Sequence, residues 1–441
     1  MMFCVRSTLM MLSVAMLVST MASADDWPQW RGVDRDGQWN ETGILSELPE
    51  GELPLLWSVP IGSGYSGPTV ADGRVYVSDR QVEVVDDKEI ESERVLCFDA
   101  ATGEIIWTHT YAAPYEIGYR AGPRASITVQ DGKAFAVGAM GHFHCLDAVT
   151  GKVLWFADLG LTVDIQMPNW GIAGAPLVFE SNVIQIIGGA DGSCVVAMNI
   201  ETGEESWRSL DERAGYSSPI LIQQAGQPVV VCWTGDSISG LNPRTGEVHW
   251  RIPFPSSRMP IGVATPIIDD NQLFVTSFYD GSMMVRLSSS ETSAELMWHR
   301  VGIDEKNTDA LHSIIGTPVM RDGSIYGVDS YGELRCLDAS TGDRIWEDTT
   351  AVPRNRWATI HIVRKDDDDW MFNEKGQLTI AKLTRDGYQP LSQTQLLETT
   401  TVQLPRRNGV TWSHPAFAGR HIFARNDKRL VCASLEAPET N

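Results

Sequence analysis

Along most of the chain, apolar residues come in runs of four to six β-formers, closed by Asp-Gly or Thr-Gly and reopened by a small residue followed by Pro. Gly67-Pro68-Thr69-Val70-Ala71-Asp72-Gly73-Arg74-Val75-Tyr76-Val77 and Thr317-Pro318-Val319-Met320-Arg321-Asp322-Gly323-Ser324-Ile325-Tyr326 show the pattern. Short runs divided by such turns predict hairpins. A longer motif rides on them. Cys97-Phe98-Asp99-Ala100-Ala101-Thr102-Gly103-Glu104-Ile105-Ile106-Trp107 returns as Cys145 to Trp155, Ala197 to Trp207, Gly240 to Trp250 and Cys336 to Trp346, and Trp298 ends a degraded copy. Trp107, Trp155, Trp207, Trp250, Trp298 and Trp346 stand 48, 52, 43, 48 and 48 residues apart. That period, with roughly four strands in each unit, predicts a β-propeller. A helical solenoid needs amphipathic stretches of about ten residues free of Gly and Pro, and the chain has none.

The ends of the repeat set the blade count. Trp57, in Leu55-Leu56-Trp57-Ser58-Val59-Pro60, has no strands of its own before it and reads as an orphan outer strand. Near the other end, His414 to Ala424 and Arg429 to Ala433 supply the first three strands of a unit that then stops. Together with a weak unit from about Arg356 to Leu397, where Thr384-Arg385-Asp386-Gly387 replaces Thr-Gly, the total is eight four-stranded blades. The first strand pairs into the last blade and closes the ring, which removes exposed edges. Thr-Gly makes the turn before the outer strand, where Gly accepts a positive φ. The outer Trp buries its ring against the neighbouring blade and needs an acceptor for its indole N–H.

Small-x-Asp/Asn-x-x-Thr-Gly-acidic-x-x-Trp resembles the tryptophan-docking motif of the quinoprotein, or PQQ-like, eight-bladed propellers, and the likeness runs from about Leu55 to Leu435. The resemblance implies that fold. It also implies two kinds of function, because the superfamily includes PQQ-dependent alcohol dehydrogenases and non-enzymatic propellers such as the lipoprotein BamB. Asp26-Trp27-Pro28-Gln29-Trp30-Arg31-Gly32 is similar to the opening of exported bacterial PQQ-like repeat proteins of unassigned role.

Charge and targeting narrow the partners. With 57 acidic against 35 basic side chains the formal charge is −22, which repels a phosphate backbone, so nucleic acid is not an expected partner. Arg6, the apolar run Leu9 to Val18 and Ala22-Ser23-Ala24 read as a cleaved export signal over residues 1–24. The apolar run is about half the length needed to span a bilayer, so no transmembrane segment is expected. Residues 25–54 form an N-terminal extension and 55–438 the propeller, giving a soluble monomer in the periplasm or outside the cell. Six cysteines remain after the signal; Cys97, Cys145, Cys336 and Cys432 fill one repeated slot in separate blades, too far apart for bridging, and all six are expected as thiols.

Three motifs invite chemistry. Gly62-Ser63-Gly64-Tyr65-Ser66-Gly67 matches a dinucleotide loop, but a strand follows where a helix N-terminus must hold the pyrophosphate. The glycines instead read as a blade-to-blade crossing. His142 and His144 share a strand face but lack a third ligand nearby in sequence, and Asp366-Asp367-Asp368-Asp369 lacks the Gly and distal Glu of a calcium loop, reading instead as a solvated hairpin tip. The quinoprotein chemistry that the resemblance implies uses PQQ, calcium, an aspartate base and often an adjacent Cys-Cys pair; this chain has no Cys-Cys. The expectation is therefore a binding scaffold of the cell envelope with no catalytic residues, metal or cofactor, and PQQ with calcium belong only to the dehydrogenase alternative. Binding is expected at the funnel mouth, on the loops leading into the inner strands. Those loops carry Tyr65, Arg120, Arg124, Asn169, Trp170 and Tyr216 in the first half of the ring, and His312, Arg356, Trp357, Trp412 and His414 in the second. Arg beside aromatic rings suits a small planar or anionic ligand, or an extended peptide or protein segment.

Overall fold

The computed structural model describes residues 25–163 and 165–438; the expected signal segment, 1–24, lies outside them. Eight four-stranded antiparallel sheets follow one another around a ring. The first blade consists of Thr69–Ala71, Arg74–Val85, Lys88–Asp99 and Ile105–Ala112. Six more complete blades follow, up to the strand Gly387–Gln395. The eighth joins Ala416–Ala418, His421–Arg425 and Arg429–Ser434 to Leu55–Pro60, with Trp57 opposite Cys432 and Val59 opposite Leu430. The ring is closed by its first strand. Gly62 to Gly67 carries the chain from the eighth blade into the first, and a Cβ on Gly67 would lie 2.3 Å from the His414 carbonyl oxygen, so close backbone approach accounts for that glycine.

The repeated motif acts at the seams between blades. Within its own sheet each Trp faces the small slot: Trp107 lies opposite Cys97, Trp155 opposite Cys145, Trp207 opposite Ala197 and Trp250 opposite Gly240. A Cβ on Gly240 would fall 2.3 Å from the Trp250 ring, which is why only small side chains fit. Across the seam the ring lies on the Thr-Gly turn of the next blade. The Trp57, Trp107 and Trp155 indoles donate to the Ala100, Ala148 and Ile200 carbonyls at 2.9, 3.0 and 2.9 Å. Trp207 and Trp298 donate to Pro243 and Ala339, and Trp346 to Thr384 of the weak seventh unit. All six cysteines among the described residues are free and buried.

Two seams depart from the rule. The fifth blade has Ser288 to Ser293 in place of Thr-Gly, and Trp250 donates to Gln224 Oε1 of its own blade at 2.9 Å. In the seventh blade Ser392 stands opposite Ile380, where a Trp stands elsewhere. There the N-terminal extension fills the gap. The Leu48 amide donates to Ser392 Oγ at 2.9 Å, and Trp39, Leu48 and Leu53 pack in one buried cluster with Trp370, Leu378, Ile380, Leu397 and Phe417. The run of four aspartates also divides differently from expectation: Asp369 is fully buried and accepts two bonds from Arg321 at 2.8 and 2.7 Å across the sixth seam. An ion pair from a neighbouring blade draws the last carboxylate inward, away from the hairpin tip.

Candidate functional site: an aromatic cavity on the propeller axis

The loops leading into the inner strands converge on the axis and leave a cavity of about 130 Å³. Its floor is Trp30, from the extension, whose indole donates to Thr265 Oγ1 at 2.7 Å. Beneath the floor the same segment threads the channel. Arg35 is 3% exposed and donates to the Ala175 and Pro219 carbonyls at 3.1 and 2.9 Å, tying the third and fourth blades together. Arg31 donates to the Asp36 carbonyl at 2.9 Å. Burial alone pushes the Arg35 guanidinium down to about 9 and leads the lowering of Arg31 to about 10.

The walls are rings. Trp170 lies 5.0 Å from Tyr216 and 5.4 Å from Tyr119, Tyr119 lies 5.7 Å from Trp357, and Trp357 lies 6.4 Å from Trp412. These separations are within the range at which aromatic pairs attract, edge-on or offset. Tyr65 donates its hydroxyl to the Gln403 carbonyl at 3.0 Å, and burial pushes its phenol well above the ordinary value. Trp357 has φ +69, a left-handed conformation that costs a bulky residue on the order of 1–3 kcal/mol. Its buried indole Nε1 has no hydrogen-bond partner among the described residues.

Of the residues expected at the mouth, Tyr65, Arg124, Trp170, Tyr216, Trp357 and Trp412 line the cavity. Arg124 lies 5.0 Å over the Tyr65 ring and is held by carbonyls, among them Gly118 at 2.9 Å. Arg356 sits beside the cavity rather than in its lining, 4.5 Å over the Trp357 ring, with two bonds to Glu305 at 2.8 Å. Arg120 is paired with Glu91, and Asn169 donates to Met259 Sδ. The two histidines stay out of the cavity. His312 Nδ1 lies 3.0 Å from the Phe278 carbonyl oxygen and its Nε2 accepts from the Gly302 amide at 3.1 Å. His414 is packed under the floor against Trp27, Trp30 and His361.

No lining residue is Asp, Glu, Asn or Gln, and among the described residues no three His, Cys, Asp or Glu side chains are placed to hold a metal ion. His142 and His144 do gain a neighbour that the sequence did not suggest, His109 on the adjoining blade, 4.8 Å from His144. Tyr111 packs over both His142 and His144, and burial pushes His144 down to about 3. The cluster is an aromatic stack.

A family model described as outer membrane protein assembly factor BamB matches residues 91–348, more than half of the chain. The chain belongs to this family. BamB of Escherichia coli (strain K12) is 22% identical over 68% of this chain and 82% of that protein. The quinohemoprotein alcohol dehydrogenase of Comamonas testosteroni is 28% identical over 42% of this chain and 26% of that enzyme. The match thus spans about a quarter of the dehydrogenase, and a second relative, Yersinia pestis BamB, is matched over 54% of its length. Among solved structures, BamB from Moraxella catarrhalis superposes with a TM-score of 0.59 at 14% identity, over 87% of this chain and 99% of that one. The Comamonas dehydrogenase superposes with a TM-score of 0.65 at 14% identity, over 94% of this chain and 82% of that one. These likenesses show the fold.

Within this BamB-family propeller the matched segment excludes the seventh and eighth blades and the extension. Trp30, Tyr65, Trp357 and Trp412 therefore come to the cavity from outside it. Trp30, Tyr119, Val263, Ile314 and Ile315 line the cavity and were not expected there. The aliphatic residues fall in loop positions analogous to those chosen, and the bias toward charged and aromatic types passed over them. Trp30 had no sequence signal placing it on the axis.

Proposed function

We propose that this chain is an exported, non-catalytic binding propeller of the cell envelope whose axial cavity takes a single ring-bearing group, either one side chain of a partner protein or peptide or a small planar molecule. The observation that carries this reading is the lining: six aromatic walls over an aromatic floor. The size agrees, since a cavity of roughly 150 Å³ admits benzene. An occupant with a flat apolar body would complete the site. PQQ fits poorly: it carries three carboxylates and is accompanied by calcium, which takes oxygen ligands. The lining supplies no carboxylate, and the nearby guanidiniums of Arg124 and Arg356 are already engaged by carbonyls and by Glu305. Among the described residues no helix is long and apolar enough to cross a membrane, in keeping with a chain carried free of the bilayer.

Two titrations test the reading. Benzoate, a single planar ring, is expected to bind the whole chain and to bind Trp357→Ala several-fold more weakly, because one aromatic wall of the cavity is lost. PQQ with calcium is expected to give no stoichiometric uptake by absorbance and no dye-linked alcohol oxidation. Stoichiometric PQQ loading overturns the proposal in favour of a dehydrogenase.

A further inference from the structure

The first blade carries a feature that the other seven lack. Its second and third strands, Arg74–Val85 and Lys88–Asp99, are 12 residues each, and only their lower halves are flanked by the rest of the sheet. Pairing with the outer strand ends at Ser92 opposite Ala112. Beyond that point a two-stranded hairpin, Gln81 to Glu91, is held at its base by the Ala113 amide, which donates to the Glu91 carbonyl at 3.0 Å, and its tip stands clear of the blade. It rises from the rim of the funnel, where the Arg80 amide donates to the Ser63 carbonyl at 2.8 Å, two residues before Tyr65 of the cavity wall.

That bond fixes which backbone groups are free. Arg80 points its N–H away from the partner strand, and strand groups alternate with a period of two, so the N–H and C=O of Val82 and Val84 point out along the same open edge. Glu83 and Val85 turn theirs toward the partner strand. The side chains on this stretch are apolar where a solvated hairpin would carry polar ones: Val82 is 43% and Val84 70% exposed, with Val85 and Ile90 also open. An exposed apolar edge is a pairing template.

Charge says what kind of strand it pairs. Glu91 is neutralised by Arg80 at 2.8 Å and by Arg120. Glu83, Asp86, Asp87 and Glu89 are in no ion pair among the described residues, and Lys88 is the sole basic residue between Gln81 and Glu91. Val82 pairs with Glu91 and Val84 with Glu89, whereas Glu83 lies on the opposite face, paired with Ile90. A strand added beside Arg74–Val85 thus meets Val82 and Val84 on one face and Glu83, with Val85 beyond it, on the other.

We infer that the hairpin Gln81 to Glu91 is a docking strand, which takes an extended segment of a partner protein with alternating apolar and basic residues by adding it to the open edge at Val82 and Val84. The acidic surplus of the whole chain, −22, draws the same partner at long range. This surface is separate from the axial cavity and stands or falls without it.

The probe is an end-blocked hexapeptide of alternating Val and Lys, titrated onto the full chain by fluorescence anisotropy, with a block-sequence peptide of the same composition and an alternating Val and Glu peptide as controls. Saturable binding of the first alone is expected. Val84→Pro removes one outward N–H while leaving the bonds inside the hairpin, and is expected to weaken binding by about tenfold. Glu83→Lys, on a solvated face, is expected to weaken the Lys peptide and admit the Glu peptide. Hydrogen exchange supplies a readout independent of folding in the proline variant: bound peptide should protect the Val82 and Val84 amides. No saturable binding, equal binding of the block peptide, no added protection at those two amides, or retention of affinity within twofold by both variants overturns the proposal.

Discussion

The seam between the first and second blades and the seam between the seventh and eighth perform the same task by different means. In the first, Trp107 lies on Gly151 and donates to the Ala148 carbonyl at 3.0 Å. In the second there is no Trp: Ser392 occupies the position, and Trp39, Leu48 and Leu53 arrive from a segment more than 300 residues away in sequence to cover Ile380, Trp370 and Phe417. The repeated motif can close a seam only where both partners are complete repeats. Where the ring begins and ends, a non-repeating segment takes over, and the same segment goes on to place Trp30 under the cavity. Here the site grows from the break in the repeat.

Deleting residues 25–54 breaks that comparison most severely. The loss removes Trp27, Trp39, Leu48 and Leu53, all buried, and since burying one large aromatic is worth about 3–5 kcal/mol, the total reaches at least about 5 kcal/mol, comparable with the stability of an ordinary domain. Denaturant titration should show the cooperative transition lost or displaced to low denaturant, with seams one to six unable to compensate. An unchanged transition would mean that the extension is only draped on the ring.

Acid offers a milder test at the same seam. His361 is fully buried, with Nε2 2.7 Å from the Trp412 carbonyl oxygen, and burial pushes it down from 6.5 to about 4. Its neighbour His414 is lowered further by burial and by His361 itself. Because the folded value lies below the unfolded one, the unfolded chain binds the proton first. The stabilisation is complete above about pH 6.5 and is lost as pH falls toward 4, amounting to on the order of 3 kcal/mol for His361. His361→Gln should flatten that part of a stability-against-pH curve, leaving the parts that burial gives to His414 and to His144 on the second blade, which is lowered to about 3.

Legibility in the sequence followed the same division. The blade number, the orphan strand at Trp57 and the role of the small slot could be read because each rests on a local pattern repeated with one period. Six of the cavity residues could be read because they occupy equivalent loops. Trp30 and the Leu48 contact to Ser392 could not, because no period relates residues 25–54 to any blade and only the folded ring brings them to it. His312 and His414 stay out of the lining for another reason: a backbone carbonyl within the fold, of Phe278 or Pro415, engages Nδ1 of each ring and turns it from the axis.

A third prediction sharpens the contrast at a regular seam. Gly151 has φ +73, and a Cβ there would lie 2.5 Å from the Trp107 ring, so Gly151→Ala incurs left-handed strain and displaces the ring, about 2–3 kcal/mol together. The fifth blade has no such turn. Ser290→Ala, at an exposed turn position beside the seam crossed by Trp250, should change stability by less than about 0.5 kcal/mol. Thermal denaturation of the two variants compares the seams directly, and equal effects would mean that the Thr-Gly turn is not what carries the Trp.

A smaller loss than that of Gly151→Ala belongs to Gln224. In the other Trp seams the indole donates to a backbone carbonyl, which no substitution removes; here the acceptor is a side chain, and it can be deleted. Gln224 is buried, takes the Trp250 N–H at 2.9 Å and returns its own amide to the Ser293 carbonyl at 2.6 Å. Gln224→Leu keeps most of the volume and strands one donor and one acceptor, a loss of about 1–2 kcal/mol. Trp250→Phe removes the donor in advance, so in that background Gln224→Leu should cost less, and the coupling in a double-mutant cycle measures the indole bond alone. Zero coupling would show that Trp250 is held by ring burial only, and that a seam without Thr-Gly needs no acceptor.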